Sequence, residues 1–248
     1  MAKIRLFIDH PLAAGQPVPL EAGQAHYLSG VMRQKAGDQI TVFNGRDGAW
    51  LAQITEAGKR GGSLDLIRQS APQQDPPDLW LMFAPIKKAR TDFIVEKAAE
   101  MGAARILPVQ TDFTNSERIR QDRLQAHAVE AAEQCGGTFV PAVEDLQALS
   151  RLLDGWDAER RILWADEAIA GPAQTLSGLM PGPWAILIGP EGGFSEPERR
   201  RLSALPFVTR IALGPRILRA DTAAVAALAL WQANLGDWRK VKQDESDI

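Results

Sequence analysis

The stretch "LIGPEGGFSEPE", residues 187–198, joins an apolar run that reads as a buried strand to a segment that reads as a helix, with Gly189, Pro190, Gly192 and Gly193 at the joint. Strand, glycine-rich turn and helix in succession form the unit from which parallel α/β sheets are built, and the turn lies at the carboxyl end of the strand, where such sheets place their ligands. A phosphate cradle does not fit. The P-loop needs a lysine and then Ser or Thr after its last glycine, whereas Gly193 is followed by Phe194 and Ser195. The glycines do not have dinucleotide-binding spacing, and no G-x-S-x-G nucleophile elbow is present. Ser195, Glu196, Pro197 and Glu198 spell a capping box with proline in the first turn, so Ser195 is expected to cap the helix. What remains is a turn whose small residues let backbone donors and acceptors approach a flat ligand.

A second turn of this kind follows. "ALGPRILRADTAAVAALALW" leaves the next strand through Gly214 and Pro215, passes Ile217 and Leu218, and enters an alanine-rich helix expected to be capped by Asp221 or Thr222. Together the two turns could form a pocket of backbone groups and aliphatic walls, which suits a purine better than a triphosphate. The alternative is a pair of plain strand-to-helix turns, with Arg216 and Arg219 in structural salt bridges at the helix start.

Outward from these turns, apolar runs ("LWLMFAPIK", "ARILPVQ", "RRILWADE", "PWAILIG", "FVTRIALG") alternate with helical patterns ("TDFIVEKAAEMG", "DRLQAHAVEAAEQ", "LQALSRLLD", "EPERRRLSAL"). Such alternation predicts a mostly parallel sheet covered by helices. Ile94, Ala98 and Met101 share one helical face, and Gly102 stands as the stop. Arg199, Arg200 and Arg201 read as the exposed face of the helix after the first turn. The N-terminal part differs. "KIRLFID", "DQITVFNG", "GAWLAQIT" and "GGSLDLIRQ" are short alternating runs, with "NGRDG" (44–48) as a hairpin turn, and they predict a small β-barrel or curled sheet. "SAPQQDPPD" (70–78) is proline-rich and polar, a linker. The expected organisation is a β domain over 1–70, a linker over 71–78 and an α/β domain over 79–248.

The 248 residues are 45% hydrophobic, ordinary for a soluble protein that buries a core. The start lacks the apolar core of a signal peptide and no segment has the length of a membrane span, so the protein is expected to be cytoplasmic and to have no membrane partner. A single cysteine, Cys135, excludes an intrachain disulfide. With three scattered histidines it also argues against a metal site, and Cys135 reads as structural. A net charge of −3 argues against indiscriminate coating of nucleic acid but not against a local basic face. The acidic end "KQDESDI" reads as a solvated tail.

"IGPEGGFSEPE" and "LGPRILRADTA" closely resemble the paired motifs of the RsmE-type 16S ribosomal RNA uridine N3-methyltransferases, which belong to the SPOUT, or trefoil-knot, methyltransferases. The resemblance extends over nearly the whole chain. "HYLSGVMRQKAGDQITVFNG" is similar to the family's PUA-like barrel, "KKARTDFIVEKAAEMGAARILPV" to its first βαβ passage, and "EAAEQCGG" followed by "VP" to its next helix end. It implies a deep knot, which connection rules alone would reject. It also implies a homodimer and S-adenosyl-L-methionine held by the backbone of 187–193 and 213–219, through Leu187, Gly189, Pro190, Gly192, Gly193, Leu213, Gly214, Ile217 and Leu218. Two departures stand out: Ala220, Asp221 and Thr222 replace the family's common Thr-Glu-Thr, and Gly137 stands where an arginine often follows "EQCG".

Methyl transfer from a sulfonium to a ring nitrogen needs alignment rather than a covalent nucleophile. N3 of uracil carries a proton on the pairing edge, so the base must be unpaired and the proton removed. Arg219 is the candidate cation that favours the deprotonated base, and Glu191 or Asp221 the candidate carboxylate. For the RNA, expected to be 16S ribosomal RNA within the small ribosomal subunit, the candidate contacts are Arg5, Arg33, Lys35 and Arg46 in the β domain and Lys87, Lys88 and Arg90 after the first strand of the second. Two competing readings are an RNA-binding ribosome assembly factor of the same fold that has lost catalysis, and a nucleotide-binding hydrolase, which the missing lysine and metal carboxylates disfavour.

Overall fold

The computed structural model describes residues 4–58, 61–115, 118–169, 171, 176 and 178–239. The expected acidic tail, 242–248, lies outside them. The chain divides into two units: Met1–Asp75 with Ala132–Val140, and Pro76–Ala131 with Pro141–Ile248.

The first unit holds β1 (Arg5–Phe7), β2 (Pro17–Leu20), a short helix α1 (Ala22–His26) that runs into a π-helical turn at Tyr27–Val31, then β3 (Gln39–Phe43), β4 (Ala49–Ala57) and β5 (Gly62–Ala71). They form a five-stranded sheet in the order β1-β3-β4-β5-β2, in which only the β1–β3 pair is parallel. The hairpin turn falls where "NGRDG" placed it, between β3 and β4. There Asn44 Oδ1 accepts from the N–H groups of Arg46 and Asp47. The Asp47 carboxylate accepts from the Leu12 N–H and the Asn44 amide, which holds it below the usual carboxylate range. Register shifts between β4 and β5 bend the sheet over a core of Val18, Ile40, Val42, Ile54 and Leu64. Strand β2 is too short to carry a readable alternating pattern in the sequence. Its two prolines argue against a strand, yet β2 is an edge strand, where proline is tolerated.

The second unit contains β6 (Leu79–Phe83), α2 (Lys88–Glu100), β7 (Arg105–Gln110), the start of α3 (Gln121–Cys135), β8 (Ala142–Val143), β9 (Gln147–Ala148), α4 (Leu149–Asp154), β10 (Arg161–Ala165), β11 (Trp184–Ile188), α5 (Glu196–Ala204), β12 (Val208–Ile211) and α6 (Ala220–Asn234). Every strand pair is parallel, in the order β12-β10-β11-β6-β7-β8, with β9 also on β7. The alternation of apolar runs and helical patterns is thus realised as expected. Trp184–Ile188 is buried along its whole length, as a central strand covered on both faces must be.

Two local expectations are corrected. The helix foreseen over 146–154 begins only at Leu149, because Gln147 and Ala148 pair with Val109 and Gln110. Neither Asp221 nor Thr222 caps α6. Its N-cap is Arg219, in extended conformation with no side-chain cap bond, and Asp221 lies in the first turn, where its charge favours the helix dipole. The family's Thr-Glu-Thr position therefore falls inside the helix rather than at its boundary.

Candidate active site

β12, β10 and β11 are neighbours, so their carboxyl ends deliver three successive turns to one place. Between them lies a cavity of about 190 Å³. Gly189, Pro190 and Glu191 line it from the turn after β11, and Leu213, Gly214, Arg216, Ile217, Leu218 and Arg219 from the turn after β12. Ala220 and Ala223 of α6 close one wall, while Asp166 and Glu167 enter from the end of β10. Ile217 is 74% exposed at this cavity, an unusual place for a bare isoleucine unless a ligand covers it.

The first turn is shaped by close packing. A Cβ on Gly189 would sit 2.6 Å from the Phe194 ring, and Phe194 itself packs edge-on against Trp164 at 5.5 Å. Gly193 has φ +70°, and a Cβ there would fall 2.1 Å from Glu167 Oε1. The turn therefore rests directly on the Glu167 carboxylate. Ser195 caps α5 as expected: its Oγ accepts from the Glu198 N–H, the Glu198 carboxylate accepts from the Ser195 N–H, and the hydroxyl also bonds Asp112.

Beneath the cavity is a charged cluster that sequence reading missed. The Asp166 side chain is wholly buried and accepts from Arg199 Nη1 and Arg210 Nε, while Glu167 accepts from Arg199 Nη2. Arg199 Nε donates to the Phe194 carbonyl at 3.0 Å. Burial works against the Arg199 guanidinium, but the two carboxylates outweigh it and leave its affinity for the proton raised. Arg199 is thus no exposed face of α5, as the triple arginine had suggested. Arg201 does reach outward, to Asp154 at 2.6 Å. The available signal was the "DE" pair directly at the end of "RRILWADE", at the carboxyl end of a strand.

The chain matches the RNA methyltransferase domain family over residues 73–232 and the PUA domain of RNA methyltransferases over 20–67. The chain belongs to the RNA methyltransferase family. It is 31% identical to the ribosomal RNA small subunit methyltransferase E of Rickettsia conorii over 229 residues, 91% of this chain and 93% of the relative. Among solved structures, the ribosomal RNA small subunit methyltransferase E of Neisseria gonorrhoeae, bound to S-adenosyl methionine, is 26% identical with a TM-score of 0.86, covering 95% of this chain and 99% of that one. A methyltransferase from Legionella pneumophila, in complex with the cofactor SAM, is 28% identical with the same TM-score, covering 96% and 100%. The fold is the SPOUT-type α/β methyltransferase domain preceded by a PUA-like sheet domain.

In this RNA methyltransferase the residues singled out from sequence are distributed unevenly. Gly189, Pro190, Glu191, Leu213, Gly214, Ile217, Leu218 and Arg219 share the cavity. Leu187 is fully buried in the core under the sheet, and Gly192 and Gly193 shape the turn without lining the cavity. Arg216 and Arg219 make no ion pair among the described residues, so they are not the structural salt bridges of the alternative reading. Asp221 is off the cavity and faces Arg90 at 3.7 Å.

Of the basic residues, Lys87 and Lys88 are exposed in the second unit. In the first unit, Arg33 and Lys35 are exposed, and Arg33 takes the left-handed conformation (φ 56°) just after the π-helical turn. Arg46 faces Asp9 at 3.4 Å. Arg5 is turned inward: its guanidinium lies over the Phe43 ring and donates to the Gly137 carbonyl at 2.6 Å, and burial lowers its affinity for the proton. Cys135 ends α3 and is exposed. No helix among the described residues is long and apolar enough to cross a membrane.

Proposed function

We propose that the protein transfers a methyl group from S-adenosyl-L-methionine to N3 of a uridine in 16S ribosomal RNA of the small ribosomal subunit. The observation that carries this reading is the convergence of both glycine turns, Glu191 and Arg219 on one cavity at the strand ends. The relatives' names support ribosomal RNA as the substrate, and the two solved relatives with bound cofactor support the donor.

The cavity suits that donor. Its apolar walls (Ile188, Leu213, Leu218, Ala220, Ala223) would hold an adenine, and the backbone at Gly189 and Gly214 lies along its edge. Bound there, the cofactor supplies a methyl group already activated as a sulfonium. The protein's own part is alignment and proton handling. Arg219, exposed and free of an ion pair among the described residues, favours the anionic form of the uracil, and Glu191 at the same rim takes the N3 proton. The resemblance also supports a knotted chain path around the cofactor, a homodimer and a place in the cytoplasm beside the ribosome.

Mapping N3-methyluridine in ribosomal RNA from cells with and without the gene tests the reading: loss of one modified site is expected, and an unchanged map refutes it. For the purified protein, Arg219→Ala is expected to lower turnover by about 100-fold, the usual scale for removing a charge-stabilising donor, with cofactor affinity retained. Unchanged turnover with normal cofactor binding would remove Arg219 from the chemistry. A protein that binds neither S-adenosylmethionine nor ATP would be an assembly factor instead.

A further inference from the structure

A second cavity of the α/β unit, about 320 Å³, lies at the start of α2. Four of its lining side chains are cations, Lys88, Arg118, Arg120 and Arg123, against a single carboxylate, Asp92, in a chain whose net charge is −3. That carboxylate is already occupied: Arg123 is hydrogen-bonded to it, and His127 stands 3.7 Å away. Arg120 is paired with Asp122 at 2.5 Å. Lys88 and Arg118 are exposed and have no ion pair among the described residues. The floor is apolar, from the buried Ile86 and Leu124.

The backbone adds to this charge. α2 has no side-chain cap and no acidic residue in its first turn, so no carboxylate of that turn offsets its positive end. A helix start with two unpaired cations beside it and the one carboxylate of the cavity lining already paired is built for an anion.

Its position relates it to the cofactor cavity. Residues two apart on a helix point about 200° away from each other. Lys88 therefore faces the second cavity while Arg90 faces the opposite way, to Asp221 of α6, whose neighbours Ala220 and Ala223 line the first. Through the Arg90–Asp221 pair the first turn of α2 thus connects one cavity to the helix that lines the other.

We propose that this cavity is a binding site for a backbone phosphate of the RNA strand whose base enters the cofactor cavity, with Lys88 and Arg118 as the phosphate contacts, a proposal that rests on RNA being the substrate. Arg123, held by Asp92, lines the inner wall and sets the depth to which the phosphate enters. The site positions the strand and reads no base, as phosphate contacts do.

The test uses the full-length protein with Lys88→Glu, Arg118→Glu and the double variant. Affinity for an unmodified small-subunit ribosomal RNA transcript is measured over a series of salt concentrations, and affinity for S-adenosylmethionine is measured separately. The expected result is RNA binding weakened about tenfold per residue, and a salt slope reduced by about one unit per contact, with cofactor affinity unchanged. Arg118→Lys should keep most of the slope that Arg118→Ala loses, which separates charge from any loss of fold. An RNA affinity and slope in the double variant equal to the wild type would overturn the site. Inorganic pyrophosphate distinguishes the source of the phosphate: if it binds through Lys88 and Arg118 while RNA affinity is untouched by their reversal, the site takes a free polyphosphate and the proposal fails. Because these readouts need no turnover, absence of methyl transfer by the wild-type protein would count against the proposed reaction and not against this site.

Discussion

Gly193 shows how much of the glycine turn after β11 depends on one missing atom. Its φ of +70° already disfavours any other residue, and a Cβ would be driven into Glu167 Oε1, which is itself held by Arg199. Gly193→Ala is therefore expected to cost about 1–3 kcal/mol of stability, from backbone strain and from displacing a bonded carboxylate. It should also weaken cofactor binding, because Pro190 and Glu191 move with the turn. Thermal unfolding and calorimetric titration with S-adenosylmethionine check both, and a variant that binds cofactor normally at full stability would show that the turn can relax. The need for glycine here was legible in "GPEGG". Its physical cause was not, since Glu167 lies 26 residues earlier and meets Gly193 only through the adjacency of β10 and β11. Arg199 marks the same limit. Three successive arginines look alike in sequence, and only the fold points one of them at the buried Asp166.

At the scale of elements, local signals suffice where the chain itself satisfies its ends. The box of Ser195 and Glu198 closes within four residues, so the start of α5 could be placed before any tertiary contact was known. Ser195→Ala is expected to cost about 1 kcal/mol and to lower the melting temperature by roughly 2–4 °C, while methyl transfer by the folded protein is retained. Loss of transfer with cofactor binding intact would give Ser195 a chemical role. Its bond to Asp112 is part of the expected loss. α6 shows the reverse. Aspartate and threonine near a helix start suggest a cap, yet the helix begins at Ala220, which is buried against the cavity, and Arg219 occupies the N-cap with no side-chain cap bond and no ion pair among the described residues. Packing of one alanine outweighed the capping preference of its neighbours. β2 and the bridge at Gln147 and Ala148 were missed for a related reason: segments of four and two residues have no period to detect, and their pairing partners are distant in sequence.

For the whole molecule, the division into units is not a single cut along the chain. Ala132–Val140 clusters with Met1–Asp75 although the intervening chain belongs to the other unit. Within the first unit, Glu133 accepts from the Phe7 N–H at 2.8 Å, the Gly137 carbonyl accepts from Arg5, and Thr138 Oγ1 accepts from the Gln74 N–H at 2.9 Å. A fragment of residues 1–75 lacks all three partners. Its β3 and β4 amides are expected to exchange faster than in the full chain, at about 1 kcal/mol of protection per lost bond. Equal protection would mean that residues 1–75 are complete alone. The departure at Gly137 also gains a structural setting here, since the position contributes its carbonyl to Arg5 and its lack of a side chain is no gap in that contact.

The sequence by itself determined the alternation of strands and helices, the two glycine turns at strand ends, the hairpin at Asn44 and Gly48, and the lack of P-loop and nucleophile-elbow patterns, because each rests on residues close together in the chain. Tertiary structure alone decided that β10 lies between β11 and β12, that Glu167 therefore lies against the turn at Gly193, that Arg5 is turned inward, and that Lys88 and Arg118 face one cavity. Periodicity and capping are local free energies that a short window contains, whereas the partners of a buried charge are set by strand order, which no window of sequence holds.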